Sequence, residues 1–354
     1  MSYQNVSTPR FYIDKLSYLR EIGYDLATSS GVAGMIGFNP SLNVIRDMPA
    51  NDDGSILHFG VQFEGEISIP KEEKLNFCAI LGHNYGGRSI QPHFHKHLEG
   101  GDGWQQCQPE HVEIVNSGNT GYSFTPDFNG FTITEMITSG NGTFDSNGQD
   151  EDIIVGYLWQ GAGQSAYQYK TGSWAVGQYY EMPVAPDLSL SLEHDYSGIK
   201  KTTSMSGASF SNANWIKPPK WGDLEVWQLA YQYGEGYYKH PRPYSGRRIW
   251  DLSFSYISDS DLEPRNYTGT LEDNQHQQGD DNWFENVLHY TMGGHLPFIF
   301  QPNKDATYTS TDEDPPHITE IPEFAICRFD MNSFSRTKVA HNLYTIKIRI
   351  RESW

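Results

Sequence analysis

Hydrophobic and polar residues alternate along the last segment of the chain. In residues 344–351, one tyrosine and three isoleucines occupy the even positions, whereas threonine, lysine and two arginines occupy the odd positions. A period of two predicts a strand with one buried face and one polar face. Residues 248–256 alternate in the same way, and the side chains in phase are Trp250, Leu252, Phe254 and Tyr256. We expect these two segments to pair in one sheet, which would tie the C-terminus into the fold.

Further strands are predicted by alternation or by short apolar runs. A continuous apolar run at 76–83 is typical of a strand that is buried on both faces. The other predicted strands lie at 57–63, 111–115, 131–138, 153–159, 174–180, 188–192, 295–301 and 323–329. Glycine, asparagine and proline separate these segments at short intervals, which is typical of a β-sandwich or jelly roll.

One short helix is predicted near 281–292. Asp280 and Asp281 are candidate N-cap residues, and Gly293 and Gly294 end the pattern. The face predicted to be buried consists of Trp283, Phe284, Val287 and Leu288. Residues 11–19 are compatible either with a strand or with a short helix.

Length and pattern together predict a mainly β protein that contains an insertion. A chain of 354 residues is long enough for two domains. The sequence changes character at Met-Pro-Val-Ala-Pro, 182–186, after which a long polar and aromatic segment follows. We therefore predict a β-core formed by 1–54 and 181–354, with an inserted β-sandwich or jelly roll at 55–180.

The net charge of −19 narrows the range of partners. It results from 44 acids against 25 lysines and arginines. A nucleic-acid backbone or an anionic membrane would be repelled, so we expect neither nucleic-acid binding nor membrane insertion. No apolar run approaches the roughly 18 residues that span a bilayer, and a signal peptide is not expected. Cys78, Cys107 and Cys327 form no CxxC pattern, which favours a reducing cytosol, and Cys78 is expected in the core.

Three histidines, His93, His95 and His97, are the densest candidate site. On a strand they share one face, about 6.6 Å apart at each step. Imidazoles in this arrangement bind zinc or copper, so one alternative is a metal-dependent hydrolase. The other interpretation is a polar rim that is hydrogen-bonded to backbone or water. The lack of a cysteine or an acid at ligand spacing favours the rim, so no metal is predicted.

Two further segments carry candidate binding residues. The acidic segment 145–152 has glycine at its fourth position and lacks the glutamate at the twelfth that a calcium loop needs, so a solvated turn is favoured. Trp215, Trp221 and Trp227 are suited to stacking on sugars or to filling a subunit interface, and the interface is favoured.

Catalytic motifs are missing from the sequence. There is no GxSxG, GxxxxGK[ST] or HExxH motif and no GxGxxG that follows a strand. Among 44 acids, the sequence cannot select a carboxylate pair at glycosidase separation. We therefore expect a protein that is not an enzyme and needs no cofactor.

Short segments between residues 178 and 354 share their pattern with one group of proteins. They are QYYEMPVAPDLSL at 178–190, GIKK at 198–201, KPPKWG at 217–222, SGRRIWDLSFSY at 245–256, GHLPFIFQP at 294–302, PEFAICRF at 322–329 and the final IRESW. Residues 77–84 in the predicted insertion are similar too. In these segments the chain resembles tailed-phage virion proteins of the distal tail or baseplate-hub type.

The resemblance implies a structural component near the tail tip. Such a protein joins a ring-forming β-core to an outward-projecting sandwich of carbohydrate-binding type. A hexamer is expected, because a protein that joins a stack of rings inherits its rotational symmetry. The implied partners are other tail proteins (tube, hub and fibres), and the implied location is the virion after assembly in the host cytoplasm. The alternative is a glycan-binding adhesin module of a phage particle, which would contact host surface glycans.

The polar face of the last strand is the predicted contact surface of the ring. Lys347, Arg349 and Arg351 form an unusual basic row in a chain of net charge −19, and Trp354 follows them. We expect this row to meet an acidic surface on a neighbouring subunit or an adjoining tail protein. The alternative is a solvated strand face with local ion pairs.

Overall fold

Most of the regular structure consists of antiparallel strands. The computed structural model describes residues 6–23, 26–28, 35–37, 44–50, 54–63, 77–84, 90–97, 104–107, 111–114, 131–137, 152–160, 165–195, 199–213, 231–232, 239–240, 247–263, 282–305 and 324–353. Within these ranges the prediction of a mainly β protein is confirmed. None of the helices in the same ranges is long and apolar enough to cross a membrane.

The strands and helical segments of the described residues are as follows. The strands are β1 Arg10–Asp14, β2 Leu26–Thr28, β3 Val44–Met48, β4 Gly54–Phe63, β5 Phe77–Leu81, β6 Ile90–His97, β7 Trp104–Cys107, β8 His111–Ile114, β9 Phe131–Ile137, β10 Asp152–Gln160, β11 Tyr167–Thr171, β12 Ser173–Glu181, β13 Ser191–Asp195, β14 Ile199–Thr203, β15 Ser209–Ala213, β16 Tyr231–Gln232, β17 Lys239–His240, β18 Arg247–Ser258, β19 Phe298–Gln301, β20 Ala325–Phe329, β21 Arg336–Ala340 and β22 Leu343–Glu352. The helical segments are α1 Lys15–Glu21, α2 Asp259–Leu262, a π-helical turn Phe284–His289 and a 3-10 turn Met292–Gly294.

One large sheet contains both ends of the described chain. Its strand order is β13-β18-β22-β20-β19-β1-β12-β5-β9-β8, and β21 also pairs with β22. A second sheet has the order β2-β4-β10-β6-β7. Three two-stranded sheets pair β3 with β11, β14 with β15, and β16 with β17. The large sheet therefore organises the fold, because it joins the N-terminal, middle and C-terminal parts of the chain.

The predicted pairing of the two alternating segments is confirmed. Strand β18 runs antiparallel to β22, with Trp250 opposite Ile350 and Leu252 opposite Ile348. These side chains are buried, as the period of two predicts. The strand end is tied down, since the amide of Ser353 donates a 2.9 Å hydrogen bond to the carbonyl of Ile326.

A β-bulge interrupts the predicted phase of β18. The register shifts between Phe254 and Ile257, and Tyr256 adopts a left-handed φ of 61°. Ile257 is buried in place of Tyr256, which is exposed. The prediction that Tyr256 lies in phase with the buried residues is therefore wrong, because one extra residue in a strand reverses which positions face the core.

The predicted strands are present, but two of them begin three residues later than predicted. The strand predicted at 295–301 is β19, which begins at Phe298. The prediction at 188–192 is wrong in its start, because β13 begins at Ser191 and Leu188 lies fully exposed in a turn. Leu190 and Leu192 do pack, partly buried, against the core. The apolar run at 76–83 forms β5, which is buried at every position.

An aromatic cluster on one face of the large sheet forms the main core. Trp283 is fully buried and its ring centroid lies 4.9 Å from that of Phe11. Phe298 and Phe329 are 4.7 Å apart by the same measure. Each buried aromatic side chain removes a large apolar area from water, so this cluster joins β1, β19 and β20 to the helical turn that covers them.

The predicted helix near 281–292 is a shorter and irregular element. The side-chain carbonyl of Asn282 accepts a 2.9 Å hydrogen bond from the amide of Glu285, so Asn282 caps the turn. The predicted caps, Asp280 and Asp281, lie outside the described residues. Phe284 is 45% exposed, whereas Trp283, Val287 and Leu288 are buried. The inclusion of Phe284 in the buried face is therefore wrong. Gly293 and Gly294 end the element with φ of 69° and 98°, as predicted.

The prediction of one short helix is also wrong, because α1 and α2 are present in addition. Asp14 ends β1 and begins α1, so residues 11–19 form both of the predicted alternatives in succession. The Asp14 carboxylate accepts hydrogen bonds from the amides of Leu16 and Ser17 and from the Ser17 hydroxyl. It also accepts a 3.1 Å bond from the amide of Val176 in β12. One buried side chain therefore caps a helix and joins it to a neighbouring strand.

The large sheet continues across the predicted domain boundary at residue 180. Strand β12 pairs with β1 on one side and with β5 on the other. The Nε1 atom of Trp174 in β12 donates a 2.8 Å hydrogen bond to the sulfur of Cys78 in β5. Burial raises the pKa of Cys78 to about 12, so Cys78 is an unreactive core residue, as predicted. The boundaries of the insertion stay a prediction, but β5 and β12 belong to the sheet that contains β1.

Candidate interaction surface

One face of the large sheet carries a concentrated set of charges. Residues directly opposite each other in paired strands share a face, so the pairing of β13, β18, β22 and β20 defines this surface. We call it the outer polar face. Its charged residues are Glu193, Asp195, Arg247, Asp251, Arg328, Lys347, Arg349 and Arg351, together with Asp330 at the end of β20 and Asp187, which accepts a hydrogen bond from Ser255 of β18.

Arg349 lies at the centre of the outer polar face. Its Nε atom is 3.2 Å from Asp330, its Nη1 atom is 3.3 Å from Asp251 and its Nη2 atom is 3.2 Å from Glu193. One guanidinium therefore joins three carboxylates from three segments of the chain. The side chain remains 40% exposed, so the pairs are screened by water and each contributes about 1 kcal/mol or less.

Arg351 and Arg247 form the half-buried margin of the same face. Arg351 pairs with Asp195, and its Nε atom is buried without a hydrogen-bond acceptor in the described part of the chain. Burial lowers the pKa of Arg247, and the neighbouring Arg351 lowers it further. Asp195 acts in the opposite direction.

Two cations of the outer polar face are exposed and have no ion-pair partner among the residues that the structure describes. They are Lys347 in the middle of β22 and Arg328 in β20. Arg349 and Arg351 have the local ion pairs of the alternative interpretation. Whether they also form an intersubunit contact stays a prediction.

Two exposed apolar side chains follow residues that are hydrogen-bonded beside the strand partner of Lys347. Ser253 is opposite Lys347, and its carbonyl accepts a 2.7 Å hydrogen bond from the amide of Asp187. Asp187 also accepts a 2.8 Å bond from the hydroxyl of Ser255. Leu188 follows Asp187 and Tyr256 follows Ser255, and both side chains are exposed. Tyrosine is enriched in protein interfaces, so Tyr256 is the strongest candidate contact residue of this pair.

Sequence reasoning missed Arg328, Leu188 and Tyr256. Arg328 stands between the buried Cys327 and Phe329, so a period of two would have placed it on the polar face. Leu188 and Tyr256 carried no such signal, because a turn and a bulge decide their exposure.

The predicted histidine row lies on strand β6. His93, His95 and His97 occupy alternate positions of that strand and therefore share one face, as predicted. The described side chains contain no group of three or more potential metal ligands. The side chains of this row are not among those described, so the metal hypothesis stays a prediction. The acidic segment 145–151, the three candidate tryptophans Trp215, Trp221 and Trp227, and Trp354 also lie outside the described residues.

Charge reversal at Arg349 and at Lys347 tests which of these two cations stabilises the folded monomer through ion pairs. We expect Arg349→Glu to lower the free energy of unfolding by about 1–2 kcal/mol at low ionic strength, since it adds a fourth carboxylate to three. Lys347→Glu is the matched change two residues away, and it should leave the free energy unaffected. Urea denaturation at 0.05 M and 1 M salt measures both. Equal losses in the two variants would contradict the assignment of Arg349 as the shared cation.

Comparisons with protein-family models, with curated proteins and with solved structures give no significant match. The functional assignment therefore rests on two kinds of support. The first is the resemblance of short segments to phage tail proteins. The second is the geometry and charge of the outer polar face.

Proposed function

We propose that this chain is a non-enzymatic structural component of a bacteriophage tail tip, of the distal tail or baseplate-hub type. Its copies form a ring, a hexamer by the symmetry of the tail tube, that joins the tube to receptor-binding parts. The resembling segments support this proposal, because 178–190, 245–256, 294–302, 322–329 and the final segment contribute to strands of one sheet. The proposed location is the virion, after assembly in the host cytoplasm.

The observation that carries the proposal is the charge of the outer polar face. The whole chain has 44 acids against 25 lysines and arginines, yet this face has five bases and five acids, Asp187 included. A second copy of the chain, or another acidic tail protein, would meet this face with favourable electrostatics. Complementary charge of this kind sets orientation and register more than affinity. Lys347 and Arg328 provide the unpaired cations, and Leu188 and Tyr256 provide the adjoining apolar area.

The function is tested by the mass of the purified chain in solution. We expect the wild type to form a ring of six copies, because heterologous contacts that close produce such rings. The double variant Lys347→Glu/Arg328→Glu should shift the mass to a single subunit while the thermal midpoint stays the same. Light scattering after size exclusion and native mass spectrometry measure the mass.

Lys338→Glu is the matched control for this experiment. Lys338 is exposed on β21 and lies opposite Tyr344, which is out of phase with Lys347, so it does not belong to the outer polar face. Its reversal should leave the ring intact. A wild type that remains monomeric and is absent from tails would refute the proposed function. If the double variant assembles into infectious particles, the outer polar face is not a contact surface of the ring.

A further inference from the structure

A β-hairpin formed by β14 and β15 pairs with no other strand among the described residues. Ile199 lies opposite Ala213 and Thr203 lies opposite Ser209. The turn is well formed, since Ser204 donates a 2.8 Å backbone bond to Ala208 and accepts a 2.9 Å bond from Gly207. A two-stranded hairpin by itself is only marginally stable in water. Its regular geometry therefore calls for a partner that pairs with it or covers it.

The side chains of this hairpin contact solvent along its whole described length. Residues 200–212 are exposed, apart from the half-buried Ser204 in the turn. Two of them are large and apolar, since Met205 is fully exposed and Phe210 is 62% exposed. Covering such a side chain contributes roughly 1.5–3 kcal/mol. Met205 and Phe210 therefore form an apolar end of the hairpin that is suited to docking.

The charge of the hairpin identifies the chemistry of its partner. Residues 199–213 contain Lys200 and Lys201 and no acid, so all 44 acids lie elsewhere in the chain. Both lysines are exposed, and within the described residues neither has an ion-pair partner. An acidic partner is therefore preferred. A second copy of this chain provides one, because the remainder of each copy is strongly negative.

The large sheet offers an edge that accepts such a hairpin. Strand β13 ends the sheet and pairs only with β18 among the described strands, so no described strand occupies its outer edge. Glu193 in β13 is 57% exposed despite its pair with Arg349, and it lies where a lysine of an added strand can reach it. Addition of a strand to an open edge is an established mode of protein recognition.

We propose that the β14–β15 hairpin of one copy docks on the edge strand β13 of the next copy. This inference rests on the proposed ring assembly and adds a second contact between copies, next to the outer polar face to which Glu193 belongs. The backbone of the hairpin extends the large sheet of the neighbour. Lys200 and Lys201 are consecutive in β14 and point to opposite faces, so one of the two approaches Glu193. Met205 and Phe210 cover apolar surface at the end of the contact. Because the hairpin and the edge are different surfaces, the contact is head-to-tail, which is the kind of contact that a ring requires.

The experiment uses the full chain and two hairpin variants. In Met205→Ser/Phe210→Ser and in Lys200→Glu/Lys201→Glu, we expect the ring to dissociate at least tenfold more readily, while circular dichroism and the thermal midpoint match the wild type. Ile22→Ser/Val339→Ser is the control, because it removes two exposed apolar side chains outside the hairpin. Zero-length carbodiimide crosslinking of a mixture of light and isotopically heavy chains should join Lys200 or Lys201 to Glu193 between copies.

The outcomes separate this inference from the proposed function. If both hairpin variants form the same ring as the wild type, and no crosslink joins two copies, the docking of the hairpin is refuted. The proposed function is then unaffected. If crosslinks join only residues with the same isotope label, the hairpin contacts β13 of its own chain. This result also refutes docking between copies. A wild type that is monomeric and absent from virions refutes the proposed function itself.

Discussion

Replacing Gly177 with alanine is expected to prevent stable pairing of β1 with β12. A Cβ atom at this position would overlap the carbonyl oxygen of Ile13 and lie 2.9 Å from the amide nitrogen of Lys15. Both contacts are with backbone, so no side chain can rotate away to relieve them. We expect a loss of at least about 3 kcal/mol in the free energy of unfolding, measured by chemical denaturation, or no soluble protein.

Gly23→Ala is the matched control for this change. Gly23 has a left-handed φ of 90°, but nothing lies within 4 Å of an added Cβ. Its substitution should cost only about 1 kcal/mol from backbone strain. If Gly177→Ala were no more destabilising than Gly23→Ala, the close approach of β12 to the β1–α1 junction would be refuted.

Replacing Asp14 with alanine should lower the free energy of unfolding by about 2–4 kcal/mol. The substitution removes the N-cap of α1, which is worth about 1 kcal/mol. It also leaves the buried amide of Val176 without its acceptor, at a cost of about 1–3 kcal/mol. Asp305→Ala is the control, because Asp305 is an exposed acid on a turn. Equal stability of the Asp14 variant and the wild type would contradict the joining role of this carboxylate.

Titration of the Asp14 carboxyl group is expected to make the free energy of unfolding depend on pH. Burial raises the pKa of Asp14 from 3.8 to about 6, although four hydrogen bonds partly offset this effect. The folded state therefore binds the proton more tightly than the unfolded state. The stability contributed by this proton is fully present below pH 3.8 and is lost as the pH rises through about 6.

Asp14→Asn isolates this titration, because asparagine cannot ionise. The advantage of the wild type over the variant should shrink between pH 4 and 7 in urea denaturation. A constant difference across that range would show that Asp14 titrates at the same pKa in both states.

Local sequence pattern was sufficient for most strands of the large sheet. The alternation in 344–351 and 248–256 identified β22, β18 and the pairing between them, because burial of one strand face imposes a period of two on the sequence. The continuous apolar run at 76–83 identified β5, which is buried on both faces. The glycines at 293 and 294 marked the end of a helical element, since only glycine adopts their backbone angles readily.

The candidate surface was predicted less completely than the strands. The sequence identified Lys347, Arg349 and Arg351 as one row, because alternate positions share a face. It did not show that Asp251, Asp330 and Glu193 meet Arg349, since these residues come from three separate segments. Their convergence depends on which strands become neighbours, and sheet pairing between distant segments has no local signal.

By itself the sequence determined the β class, the inward and outward positions of most strands, the acidity of the surface and the basic row of the last strand. These properties depend on residue type and on spacing along one segment. The tertiary structure alone decided the burial of Asp14, the exposure of Tyr256 and the separation of Arg349 from Lys347 into a paired and an unpaired cation. Each of these depends on contacts between segments far apart in the chain, because a bulge, a buried cap or an ion pair is created only when a second strand supplies the opposing atoms.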